Sequence, residues 1–148
     1  MFKAVKGSSW LKVVSLSAML LCSSSVAMAN EEQEITMDRM NDYMSEATHV
    51  QGMVTPEQVA TTYLGVAAIF DTREEEQYEE SHIKGAKHME WREVIDRLDE
   101  IPTDKPVVLY CGTGALAAQA GFALRVLGRT NVVILRGGYE DWVKYKKK

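Results

Sequence analysis

Cys111 is the residue of this 148-residue chain whose surroundings suit covalent chemistry. It follows the apolar run Val107-Val108-Leu109-Tyr110 and precedes Gly112-Thr113-Gly114-Ala115-Leu116. The apolar run has the composition of a buried strand, while the two glycines break regular structure and let backbone amides approach a common point. From Leu116 onward, Leu116, Ala120, Ala123, Leu124 and Leu127 recur at helical spacing, which sets the cysteine just ahead of a helix N-terminus. The partial positive charge of that end favours a thiolate, the nucleophilic form of the side chain. Such a group attacks an electrophilic atom, with the amides of Gly112, Thr113, Gly114, Ala115 and Leu116 placed to receive developing charge. The Thr113 hydroxyl has two readings, a bond to the sulfur or a bond that holds the turn. A competing reading treats Cys111 as a small core residue, since free cysteine is among the most buried residue types.

Positioning such a loop requires a strand before it and a layer of helices around it. Thr55-Pro56-Glu57-Gln58 carries a helix start, with a threonine cap, proline at the first position and an acid in the first turn. Val66 to Phe70 is an apolar run bounded by Asp71 and Arg73, the pattern of a strand buried on both faces. Arg73 to Glu80 reads as a solvated helix face, and its five glutamates receive no chemistry. His82 to Met89 reads as a turn with a short strand, and the stretch from about Trp91 to Leu98 as an amphipathic helix with Val94, Ile95 and Leu98 inward. Val132 to Leu135 is another strand; Gly137-Gly138 permits a sharp turn into a last helix, Tyr139 to Tyr145, anchored by Trp142 and Val143. Strands alternating with helices predict an α/β fold with a parallel sheet, whose ligands collect at the carboxyl ends of the strands. Cys111 stands at such an end.

The first 29 residues read as an export signal: Lys3, Lys6 and Lys12, an apolar core from Val13 to Leu21, and Ala27-Met28-Ala29 as a small-x-small cleavage site. Cleavage there discards Cys22 and predicts a periplasmic or otherwise exported protein with no membrane attachment. Taking three lysines from 17 basic residues leaves 14 against 21 acids, a formal charge of −7 that argues against nucleic-acid binding. Residues 30–53 form an acidic, Met-rich N-terminal extension in which Ile35, Met37, Met40 and Met44 partly fit one face of a short helix, a stripe that reads as packing rather than a metal site. Residues 54–148 form the one domain, with the size to bury a core without covalent staples. With Cys22 removed, Cys111 has no disulfide partner, so its thiol is either buried and inert or exposed and chemically employed. A cysteine phosphatase would need arginine at the sixth position after the cysteine to grip a dianion, and Ala117 occupies it.

Four stretches together resemble the rhodanese-like sulfurtransferase family over about Val54 to Val143. Phe70-Asp71-Thr72-Arg73 is similar to its strand-ending Asp-x-Arg. Tyr78, His82, Ile83, Gly85 and Ala86 match its aromatic-x3-His-Ile-x-Gly-Ala signature, with Lys84 where proline is usual. Leu109-Tyr110-Cys111 matches the nucleophile strand, and Gly137-Gly138 through Trp142 the closing turn. The resemblance implies a five-stranded parallel sheet with helices on both faces, and Cys111 cycling between thiolate and persulfide. It implies a small sulfur donor (thiosulfate, mercaptopyruvate or a persulfide) and a thiol or cyanide acceptor; the chain is expected to be a monomer that uses no metal or cofactor. Gly112 to Leu116 would bind substrate. Asp71 and His82 would support the site, and Arg73 would pair with Asp71 while remaining the nearest cation by motif for a substrate. Many thiosulfate-using relatives place arginine just after the cysteine; this loop is uncharged. An uncharged loop also fits a second reading, a non-catalytic module that binds sulfur or senses oxidation at a reactive thiol.

Overall fold

The structure is a computed structural model that describes residue 28, residues 30–47 and residues 52–148. The expected export signal, residues 1–29, lies outside the described residues apart from Met28. The chain divides into two compact units, one ending at Asp42 and one running Tyr43–Lys148. Residues 30–46 are helical (α1), and Ile35, Met37, Met40 and Met44 are all exposed rather than packed.

In the second unit, β1 (Met53–Val54) leads through the Thr55 cap into α2 (Pro56–Gln58). Gln58 N donates to Thr55 Oγ1 at 3.2 Å and Thr55 N to Gln58 Oε1 at 2.8 Å, so the first turn is closed reciprocally. The helix continues as a wider π turn, Val59–Tyr63. Then follow β2 (Ala68–Asp71), α3 (Glu75–Glu80), β3 (Lys87–His88), β4 (Val107–Tyr110), α4 (Ala115–Val126), β5 (Val132–Leu135) and α5 (Gly138–Lys146). The five strands form one sheet in the order β1-β5-β4-β2-β3, every pair parallel. β4, which leads directly into the cysteine, is central and wholly buried.

Side-chain alternation divides the strands between two cores. On one face Phe70, Val107, Leu109, Cys111, Val132 and Ile134 pack with Ala117, Ala120 and Leu124 of α4. On the other, Ile69, Val108, Tyr110 and Leu135 pack with Val59 and with Trp142 of α5. Helices therefore cover both faces. Gly121 lets α4 lie close on β5, because a side chain there would press into Ile134.

The segment from Trp91 to Leu98 is not the helix its periodicity predicts. It is a run of turns ending in a 3-10 turn, Leu98–Glu100. The Glu90 carboxylate accepts the Arg92 amide at 2.9 Å, and Glu93 N bonds Glu90 O and Glu100 N bonds Arg97 O across three residues instead of four. Val94 points inward, whereas Ile95 is 45 % exposed.

Candidate active site

β4 ends at Tyr110, and the chain turns at once through Cys111 to Gly114 into α4. Gly114 is the helix cap with φ +97°, a left-handed conformation that glycine adopts without a Cβ clash. That geometry turns the Gly114 amide back onto the cysteine, where it donates to Cys111 Sγ at 3.1 Å. The first backbone bond of α4 runs from Ala118 N to Gly114 O at 2.9 Å. The amides of Ala115, Leu116 and Ala117 precede it and have no acceptor within the helix. The sulfur thus sits at the positive end of a 12-residue helix.

The turn after β5 holds this loop from the other side. Tyr139 N donates to Cys111 O at 2.8 Å and Glu140 N to Gly112 O at 3.0 Å. Gly138, at φ +59°, makes the approach possible, since a methyl group there would collide with the carbonyl oxygens of Cys111 and Gly112. Cys111 is only 2 % exposed, whereas Thr113 and Ala115 are exposed and Gly112 and Leu116 half-buried. The Thr113 hydroxyl makes neither of the two bonds that its sequence position allows, among the described residues. A methyl group on Gly112 would meet nothing within 4 Å, so the loop is roomy just beyond the cysteine.

Asp71 and Arg73 lie at the end of β2, next to β4 in the sheet. The Arg73 guanidinium, 7 % exposed with its residue, grips the Asp71 carboxylate through Nε at 2.9 and 3.1 Å and Nη2 at 2.5 Å. Its Nη2 also donates to Ser81 O at 2.6 Å, and its plane stands 4.3 Å from the Tyr139 ring centroid. Burial works against the arginine's charge, but the hydrogen bonds and charge of Asp71 more than offset it and hold the guanidinium above its ordinary range. Arg73 therefore ties β2 to the turn that grips the Cys111 carbonyl. Burial also drives the Tyr110 phenol well above its usual range, so it stays protonated and accepts the Ile83 amide at 3.0 Å.

His82 is exposed, stacked 4.1 Å from Tyr78, and its Nδ1 donates to Tyr78 O at 2.8 Å. Tyr78 in turn donates to Ala86 O at 2.9 Å, closing the turn before β3. His88 Nε2 donates to Arg73 O at 2.8 Å. The residues that the sequence pattern did not single out for the site are those of the β5–α5 turn, which hold Cys111 and Gly112 through backbone amides; a glycine pair one residue past the strand was their visible signal. Among the described residues no three His, Cys, Asp or Glu side chains come together as a metal site would require.

A family model described as the rhodanese-like domain matches residues 55–145, which contain the sheet from β2 to β5, the loop and the β5–α5 turn. The chain belongs to the rhodanese-like family. This rhodanese-like chain is 38 % identical over 84 residues to the Bacillus subtilis protein YqhL, across 55 % of its own length and 67 % of that protein's. It is 30 % identical over 89 residues to a thiosulfate sulfurtransferase, GlpE, of Pseudomonas entomophila, across 60 % of its own length and 82 % of the relative's. A rhodanese-related protein from Thermoplasma volcanium shares the fold with a TM-score of 0.59 at 20 % identity, over 63 % of this chain and 91 % of the other.

Proposed function

We propose that this rhodanese-like chain is a sulfurtransferase that carries sulfane sulfur on Cys111. The Cys111 thiolate attacks the sulfane sulfur of a small donor. With thiosulfate the S–S bond breaks, sulfite leaves with the electron pair, and a persulfide remains on Cys111. A thiol or cyanide then attacks the outer sulfur, leaves as persulfide or thiocyanate, and returns the thiolate. The observation that carries the reading is the Gly114 amide on Sγ at 3.1 Å, beside helix amides free to accept negative charge on a second sulfur. The name of the GlpE relative supports a sulfur donor of the thiosulfate class. The basic and apolar N-terminal pattern supports an exported location, which fractionation of cells producing the full chain would test.

The 2 % exposure of Cys111 favours a second reading, a module that binds sulfur or senses oxidants without turnover. One experiment separates the two. The protein is incubated with thiosulfate, mercaptopyruvate or a small persulfide, weighed by mass spectrometry, and then given cyanide. The expected result is one added sulfur on the wild type, none on Cys111→Ser, and release of the added sulfur as thiocyanate. No added sulfur from any donor would overturn the sulfurtransferase reading; a persulfide that no acceptor removes would establish the non-catalytic one.

A further inference from the structure

Three arginines stand just past the carboxyl ends of the strands, and two are committed. Arg73 is held by Asp71, and Arg92 by Glu90 at 2.8 Å and Glu74 at 2.9 Å. Arg136, one residue beyond β5, is exposed and makes no ion pair among the described residues. Its place follows from the register. β4 and β5 align Val107 with Val132, Val108 with Val133 and Leu109 with Ile134. The same offset, carried two residues on, puts Arg136 beside Cys111. Leu109, Ile134 and Cys111 all belong to the core under α4, so alternation continued past the last pair would set Arg136 on that face as well. The two segments stay together past their last pair: a methyl group on Gly114 would lie 3.2 Å from Leu135 O, and Tyr139 N bonds Cys111 O.

We propose that Arg136 supplies the anion recognition that the uncharged loop lacks, drawing the sulfonate or carboxylate head of a small donor to the nucleophile. Neighbouring strands lie about 4.8 Å apart, within the span that an arginine side chain covers. A guanidinium offers paired donors to either head group. The assignment rests on the sulfurtransferase reading for its donor, but the positive field at Sγ can be measured without sulfur transfer.

The test compares iodoacetate with iodoacetamide, which differ in charge and little in size; Sγ displaces iodide from both. Because the same thiolate reacts each time, the ratio of the two rates reports local charge alone. Arg136→Gln should lower the iodoacetate-to-iodoacetamide ratio about threefold to tenfold, Arg136→Glu should lower it further, and Arg136→Lys should restore it. A ratio unchanged in both Arg136→Gln and Arg136→Glu would overturn the proposal.

Single-turnover loading then identifies the head group. In the thiosulfate arm sulfite leaves; in the mercaptopyruvate arm the C–S bond breaks and the S–H proton ends on the carbon of the departing pyruvate. Slower loading of Arg136→Gln by both donors assigns a shared anion site, by one donor a site shaped for that head, and by neither, where both load the wild type, counts against the proposal. Should no donor load Cys111 at all, the sulfurtransferase reading falls and the alkylation ratio still decides the role of Arg136.

Discussion

β2 and β4 lie side by side, and their carboxyl ends use polar groups in opposite ways. At the end of β2, two full charges are buried and almost entirely consumed by one another, by Ser81 O and by the Tyr139 ring. The loop that follows β4 carries no charged side chain of its own; a backbone amide faces the sulfur and the amides of the first helical turn remain uncommitted. The conspicuous ion pair holds shape, while the cysteine end is built from backbone dipoles. A buried pair is weak evidence of net stability but becomes costly once halved, because the remaining charge is left in a poor solvent.

The largest effect should come from halving it. Asp71→Asn leaves Arg73 buried beside a neutral amide and is expected to lower stability by about 3 to 5 kcal/mol. Urea unfolding measures it, alongside sulfur uptake per folded molecule. Uptake that collapses in the folded fraction while stability holds would erase the distinction between the two strand ends. Next in size is Gly138→Ala, which forces a side chain at positive φ into two carbonyl oxygens and should cost at least about 2 kcal/mol. Unlike Asp71→Asn, it should also reduce persulfide formation in the folded fraction, because the turn it displaces grips Cys111 itself. Mass spectrometry after thiosulfate loading checks that difference.

Gly112→Arg would bring charge to the uncharged end. The position has room, so the variant should fold and lower the KM for thiosulfate by about tenfold if charge is what the loop lacks. Steady-state kinetics showing an unchanged or higher KM in a folded variant would mean that charge near the loop is already sufficient. The smallest effect is expected at Glu90. Burial alone would raise this carboxyl, but hydrogen bonds and charge from Arg92 hold it below its ordinary value of 4.5. The pair therefore adds stability above that value and loses it as pH falls through the lowered one. Glu90→Gln should remove less than about 1 kcal/mol at neutral pH, since Arg92 is largely in water, and should flatten the acid side of the stability curve. Thermal melts at pH 3 and pH 7 test the sign.

Much of the fold was legible in residue patterns. Val107 to Tyr110 and Val132 to Leu135 are strands because continuous apolar runs rich in β-branched residues pack on both faces, and Gly112 and Gly114 marked the loop between strand and helix. The segment after β3 departs from its helical periodicity because apolar spacing does not register the competition from side chains: Glu90 takes the Arg92 amide, and Arg97 bridges Glu93 and Glu100. The methionine spacing in α1 likewise fits a helix face, yet spacing alone does not supply a surface for that face to cover. At the site, the cysteine and its cradle were visible in a stretch of six residues. The grip of Tyr139 and Glu140 on that cradle was not, because it depends on which strands are neighbours, a fact of sheet order rather than of local sequence.

The same sheet order governs how the chain can fold. β1, first among the strands in the chain, pairs only with β5, the last, Met53 lying opposite Ile134. A nascent chain that has completed β2, β3 and β4 therefore holds β1 without its partner and lacks the turn that braces the cysteine. Closing contacts so distant in sequence is slow relative to helix or hairpin formation. A chain truncated before Gly138 would possess the cysteine without the brace that defines its surroundings.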